Sequence, residues 1–294
     1  LWLSIARGDA FGFIGPNGAG KTTSITMLAT LLEPDAGTAE VCGHDIRREP
    51  EGVRSVVGYM PDFFGLYEDM KVWEYLDFFA AAHRVPYSRR RKIIKDVLEL
   101  TDLGYQRDAY VEALSRGMKQ RLCLAKTLAH DPEVLLLDEP ASGLDPRARA
   151  EVRGLLQELC RMDKTIIISS HILPELAELC NKIGIITEGK LVTAGDVNEI
   201  ATQIAGGRRL LIGLMTRAEE ACALLQALPS VSLAELRDGR VEALYTGAAS
   251  DEHEVLTALI TGGFQVLSFV PDEADLEQLY MSATRGVDAD VSSG

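Results

Sequence analysis

Short, wholly apolar runs alternate with amphipathic stretches from Ile5 to about Ala205. Ala10–Ile14 reads as a strand and Lys21–Leu32 as a helix. Val134–Leu137 and Thr165–Ser169 have the length and composition of strands buried on both faces. Arg147–Cys160 has helical spacing, with Asp145 placed to cap it and Pro146 at the first helical position, where no N–H is needed. This order predicts an α/β core around a largely parallel sheet. From about Phe63 to Glu112 amphipathic helices run without a strand pattern, so a helical subdomain over about residues 63–118 is expected inside the core.

The pattern restarts after Gly206-Gly207. Strands are predicted at Leu210–Leu214, Val231–Leu236, Val241–Tyr245 and Phe264–Val270, and helices at Ala218–Leu228, Glu252–Thr261 and near Ala274–Ala283. The expected division is a core domain over 1–205 and a small accessory α+β domain, ferredoxin-like in order and regulatory in role, over 206–294. A length of 294 residues accommodates both.

No stretch approaches the roughly 20 consecutive apolar residues of a spanning helix, so membrane association is expected only through a partner. The start, Leu1-Trp2-Leu3-Ser4, lacks the basic and apolar regions of a signal peptide and has no initiator Met, which suggests a truncated start. Trp2 is expected to be a buried strand residue. The 5 cysteines are scattered without metal or redox spacing and read as reduced thiols. The net charge of −14 is uneven: from Gly206 onward 14 acidic residues face 6 Arg and no Lys. Such a segment repels phosphate backbones, which argues against nucleic acid as its partner.

The strongest local chemistry lies between the first strand and first helix, in Gly15-Pro16-Asn17-Gly18-Ala19-Gly20-Lys21-Thr22-Thr23. It matches the Gly-x4-Gly-Lys-Ser/Thr loop in the strand–loop–helix context that gives the motif meaning. Glycines let the backbone wrap closely around phosphate, and the N–H groups from Asn17 through Thr23, with the helix N-terminus, form an anion nest. Lys21 supplies charge to the β- and γ-phosphates, Thr22 a hydroxyl ligand for Mg²⁺, and Thr23 a bond to the α-phosphate. Just upstream, Arg7-Gly8-Asp9 reads as a turn between strands, not as an adhesion motif.

Further motifs follow in a fixed order: Gly58-Tyr59-Met60-Pro61-Asp62, Leu114-Ser115-Arg116-Gly117-Met118-Lys119-Gln120-Arg121, Leu135-Leu136-Leu137-Asp138-Glu139-Pro140, Ala141-Ser142-Gly143-Leu144-Asp145 and Ile168-Ser169-Ser170-His171. Over about residues 1–205 this order resembles the nucleotide-binding subunit of an ATP-binding-cassette transporter. The resemblance implies an ATPase that uses ATP and Mg²⁺. Asp138 would hold the metal, Glu139 would act as general base, and His171 would contact the γ-phosphate. Ser115, Arg116, Gly117 and Met118 would face ATP held by a second copy or a homologous subunit, with Ser115 capping the helix behind them. Arg116 and Met118 replace the commoner Gly and Gln. Asp62 stands where the family has Gln; it either reports Mg²⁺–ATP occupancy to the helical subdomain or caps the next turn. The aromatic that stacks on adenine normally lies upstream of Leu1.

The segment Gly65–Leu76 resembles the start of the family's helical subdomain, which receives a membrane partner. The nearby cluster of Arg84 and Arg89-Arg90-Arg91-Lys92 is either a solvated helix face or a contact with the membrane surface. Leu276-Glu277-Gln278-Leu279-Tyr280-Met281 resembles the end of bacterial exporter ATPases with separate membrane subunits. The expectation is therefore an exporter ATPase, peripheral on the cytoplasmic face of the inner membrane and paired with an integral permease subunit. Two alternatives stand beside it: a soluble cassette ATPase of translation or repair, and a regulatory module that binds ATP without hydrolysing it.

Overall fold

A computed structural model describes residues 1–271 except 64, 173–175, 198, 201–206, 238 and 248. The chain divides into two compact units, Leu1–Ala194 and Gly195–Gly294. The junction expected at Gly206, the helix expected near Ala274–Ala283 and the Leu276–Met281 segment lie outside the described residues.

In the first unit, β1 (Ala10–Ile14), β5 (Val134–Asp138) and β6 (Thr165–Ser170) are buried at every position. Their continuous apolar runs therefore form the middle of a sheet covered on both faces. With β4 (Val57–Met60), β7 (Lys182–Thr187) and β8 (Lys190–Asp196), they form a six-stranded sheet in the order β4-β5-β6-β1-β7-β8. The pairs from β4 through β7 are parallel. Register fixes function here: Met60 lies beside Leu137, Asp138 beside Ser169, and Ile14 beside Ser170. The carboxyl ends of four strands thus share one edge, the place where open α/β sheets present their loops to ligands.

α1 is Lys21–Leu28, shorter than the Lys21–Leu32 expected. Thr30 turns to a φ of 61°, and Leu31 and Leu32 are exposed ahead of Glu33-Pro34. The residue before a proline is disfavoured in the helical region, so the chain leaves the helix early. A two-residue hairpin, β2 (Glu40–Val41) with β3 (His44–Asp45), and α2 (Pro50–Val56) lead into β4. The helical insertion consists of α3 (Val72–Ala82) and α4 (Tyr87–Leu100), followed by α5 (Arg116–Leu128). Glu74 starts α3 by accepting the Lys71 N–H at 2.9 Å. α6 (Pro146–Arg161) begins as the sequence indicates, with Asp145 accepting from the Arg147 and Ala148 N–H groups and Pro146 at the first position.

Trp2 corrects an expectation. It is 96% exposed, and residues 1–6 form no strand. An extended segment holds a buried side chain only where a neighbouring strand takes its backbone groups, and none is paired with these residues among those described. Arg7-Gly8-Asp9 is a turn, as expected, but only β1 follows it. Asp9 is buried and ion-paired to Lys182 at 2.7 Å.

The second unit contains β9 (Arg208–Leu214), α7 (Ala218–Gln226), β10 (Val231–Arg237), β11 (Arg240–Tyr245), α8 (His253–Thr261) and β12 (Val266–Pro271). The sheet order is β10-β11-β9-β12, with antiparallel neighbours throughout. A βαββαβ chain with this order is the ferredoxin-like arrangement. Leu210, Ile212, Val241, Ala243 and Tyr245 from the sheet pack with Leu225, Val255 and Leu259 from the two helices.

Candidate nucleotide site

Four loops meet at the shared strand edge. The loop after β1 wraps from Gly15 into α1, with Gly18 at φ 83° and Gly20 at φ 103°. A side chain at Gly15 would collide with the Ile186 carbonyl, so that position requires glycine for close backbone approach. Lys21 is 6% exposed. Its Nζ donates to the Gly15 carbonyl at 2.7 Å and the Pro16 carbonyl at 3.2 Å, and stands 3.9 Å from Glu139 Oε1. Burial lowers the Lys21 pKa, while Glu139 and Asp138 oppose that shift. The ammonium is thus held inside the loop by carbonyl dipoles and a carboxylate.

The loop after β5 begins at Asp138, which is 1% exposed and accepts a hydrogen bond from Ser169 Oγ. Glu139 follows with a φ of 48°, a left-handed conformation uncommon outside glycine. Its N–H is shared by Ser169 Oγ at 3.0 Å and the Ser169 carbonyl at 3.2 Å, which hold the residue in that shape. The Glu139 side chain is 14% exposed. Burial raises its pKa, against the hydrogen bond and charge of His171 and the charge of Lys21, while Asp138 raises it further. A carboxylate shifted in this direction is a stronger proton acceptor near neutrality. His171, directly after β6, brings Nδ1 to 3.0 and 3.2 Å from the two Glu139 oxygens. Because a carboxylate only accepts, this contact selects the tautomer with a proton on Nδ1.

Lys21, Asp138, Glu139 and His171 thus lie together at one sheet edge. Ser115 caps α5 by accepting from the Met118 N–H at 3.3 Å, leaving Arg116 and Gly117 in the first turn. Asp62 is exposed, two residues beyond β4. Two residues gain roles that the sequence reading did not assign. Ser169 bridges Asp138 and Glu139, and buried Gln120 donates from Nε2 to the Pro140 carbonyl. Their signal was faint: a polar residue at the end of an apolar strand, and one on the buried face of a helix.

The oxygen donors at this edge, the Asp138 carboxylate and the Thr22 hydroxyl at the start of α1, are of the hard type that suits Mg²⁺. A glycine cradle opening into a helix N-terminus suits the phosphates that would bring the metal.

A family model for ABC transporter matches residues 1–142. The Nod factor export ATP-binding protein I of Ralstonia nicotianae is 40% identical over 206 residues, covering 70% of this chain and 64% of that protein. The chain thus spans a little under two-thirds of that relative's length. The daunorubicin resistance ATP-binding protein DrrA3 of Streptomyces coeruleorubidus is 35% identical over 260 residues, covering 88% of this chain and 81% of its own. Among solved structures, cbiO1 from Clostridium perfringens, part of the ABC transporter complex cbiONQ, superposes with a TM-score of 0.61 at 28% identity. It covers 67% of this chain and 81% of that one.

Proposed function

This chain belongs to the ABC transporter family, and we propose that it binds and hydrolyses ATP at a dimer interface to power export by a separate membrane protein. The observation that carries this reading is the convergence of Lys21, Asp138, Glu139 and His171 on one sheet edge around a phosphate-type loop. Lys21 moves from the Gly15 and Pro16 carbonyls to the β- and γ-phosphates, which the loop from Asn17 through Thr23 and the N-terminus of α1 would cradle. Thr22 and Asp138 would hold Mg²⁺, which when bound neutralises charge on the β- and γ-phosphates.

Glu139 accepts a proton from the attacking water as the water oxygen bonds to the γ-phosphorus and the bond to the ADP oxygen breaks. His171 holds Glu139 in place through Nδ1–H, and donating to the γ-phosphate from Nε2 requires a second proton on the ring. Asp62, exposed beside this edge, relays occupancy to the helical subdomain. Ser115, Arg116, Gly117 and Met118 open α5, and their helix N-terminus favours an anion. In a dimer they face the nucleotide bound by a second copy or a homologue.

Export is supported by the names of the relatives, an export protein and a resistance protein. No helix among the described residues is long and apolar enough to cross a membrane. By analogy with a neighbour that is part of an ABC transporter complex, translocation is assigned to an integral permease subunit, with this chain on the cytoplasmic face of the membrane. Tyr67 and Phe78, edge to face at 5.7 Å and about half exposed, offer that permease an aromatic docking patch on the helical insertion.

Lys21→Ala removes the phosphate-binding charge, and ATP affinity measured by calorimetry is expected to collapse. Glu139→Gln is expected to bind ATP, slow turnover roughly 10²–10⁴-fold and accumulate as an ATP-bound dimer in sedimentation. A Glu139→Gln variant that stayed monomeric and kept parental turnover would remove the proposal.

A further inference from the structure

One face of α5 grips the backbone that follows Glu139. Buried Gln120 donates to the Pro140 carbonyl. One turn earlier, Arg116 donates from Nη2 to the Ser142 carbonyl at 3.4 Å. The two side chains act together because residues four apart lie on the same side of a helix. The guanidinium also covers Gly143 so closely that a Cβ there would have no room, and Gly143 has a φ of 65°. The backbone conformation favours glycine at that position, and a side chain there would displace the Arg116 guanidinium. A Cβ on Gly117 would lie 3.1 Å from the Ala148 Cβ, so the start of α5 also abuts the start of α6.

The other side of the same segment is less supported. Glu139, Pro140, Ala141, Ser142 and Gly143 border a cavity of about 200 Å³. On that side the segment borders water-accessible space and not packed side chains. The segment is therefore anchored at two ends: Ser169 holds the Glu139 N–H that begins it, and Gln120 and Arg116 of α5 hold its Pro140 and Ser142 carbonyls.

We propose that Arg116 is a positioning residue that couples the two nucleotide sites of the dimer within a single chain. The inference rests on the composite-site reading above. In that arrangement the N-terminus of α5 meets ATP held by the second subunit, whereas Glu139 acts on ATP held by its own. Arg116 ties one to the other. When α5 seats on the second subunit's phosphate, the pull on the Ser142 carbonyl sets Glu139 at the opposite site. A glycine at position 116 has no side chain to make this connection.

The test uses the full chain, with ATPase rates measured against ATP concentration for the parent, Arg116→Ala and Arg116→Lys. Arg116→Ala is expected to lower kcat about tenfold, the scale of one hydrogen bond from a charged donor. KM for ATP should stay within about twofold, and the Hill coefficient of the rate should fall to one. Arg116→Lys, which keeps a cationic donor on a long stem, should recover a large part of kcat. In a Glu139→Gln background, Arg116→Ala should still form the ATP-bound dimer.

Unchanged kcat and cooperativity in Arg116→Ala would overturn the proposal while leaving the dimer reading intact. Loss of the trapped dimer together with a raised KM would make Arg116 a phosphate contact instead. An equal loss in Ala and Lys variants, accompanied by a lower melting midpoint, would reduce it to a packing role. If Glu139→Gln alone forms no dimer, the composite-site reading fails and this inference fails with it.

Discussion

Ser169 is the residue on which the carboxylates proposed for catalysis and metal binding, Glu139 and Asp138, lean. It is fully buried at the edge of β6, donates to Asp138 and receives the N–H of Glu139. A hydroxyl can do both at once, since it carries one donor and two acceptor lone pairs. Ser169→Ala leaves the Glu139 N–H with the Ser169 carbonyl at 3.2 Å, but it removes the hydrogen bond that the Asp138 carboxylate accepts from the Ser169 hydroxyl. A hydrogen bond to a charged group contributes about 1.5–3 kcal/mol, so kcat should fall roughly 10- to 100-fold with KM for ATP changed only a few-fold. Steady-state ATPase assays decide this, and an unchanged kcat would show that Asp138 and Glu139 hold their places without Ser169. At this scale much of the site was readable: Lys21, Asp138, Glu139 and His171 each sit in a motif whose chemistry dictates the residue type. Ser169, Gln120 and the Arg116 contact were not, because a hydrogen bond between residues 31 or 20 or 26 positions apart leaves no mark in local spacing.

At the scale of elements, strands β1, β5 and β6 were legible because a strand buried on both faces must be an unbroken apolar run. The start of α6 was legible because Asp145 and Pro146 suit only a helix beginning. The place of Trp2 was not, since it depends on whether a neighbouring strand takes its backbone groups, whereas the early end of α1 had a local signal in Pro34 that the apolar run through Leu32 masked. One junction between elements carries a pH signature. His83, at the end of α3, stacks on His130, beyond α5, with ring centroids 3.8 Å apart and planes 4° apart. His130 Nε2 donates to the Val57 carbonyl at 2.9 Å, and its buried Nδ1 has no partner among the described residues. Burial first, then the charge of His83, pushes the His130 pKa from 6.5 down to about 4, against the Val57 carbonyl and Asp131. His83 is lowered in the same direction by burial and by Lys126. The folded state therefore refuses a proton that the unfolded chain accepts. The stability this contributes is complete above about pH 6.5 and is lost as pH falls from 6.5 towards 4. The loss should amount to about 1–3 kcal/mol. Urea midpoints measured across that window should fall for the parent and flatten for His130→Gln, whose amide can still donate to Val57. An equal slope in both proteins would place the acid sensitivity elsewhere.

For the whole molecule, the question is whether the two units depend on each other to fold. The first unit contains the parallel sheet, the phosphate loop and each residue assigned to the nucleotide site. The second has an antiparallel sheet and a core drawn entirely from its own strands and helices, from Leu210 through Phe269. A unit with its own closed core meets the main requirement for independent folding. The charge of the chain points the same way: the acidic residues after Gly206 outnumber the basic ones by more than two to one, so that part repels itself and gains little by joining an acidic neighbour. A chain ending at Ala205 is therefore expected to unfold in one cooperative transition and to bind ATP within a few-fold of the full-length affinity. The full chain, by contrast, should show two calorimetric transitions, the second belonging to the accessory unit. The accessory unit's effect should appear in turnover or in dimer formation, quantities set by how two chains meet and not by how one chain holds phosphate. Calorimetry and ATP titration on the shortened chain test this directly. Loss of its cooperative transition, or a collapse in its ATP affinity, would mean that the residues beyond Ala205 complete the ATPase core.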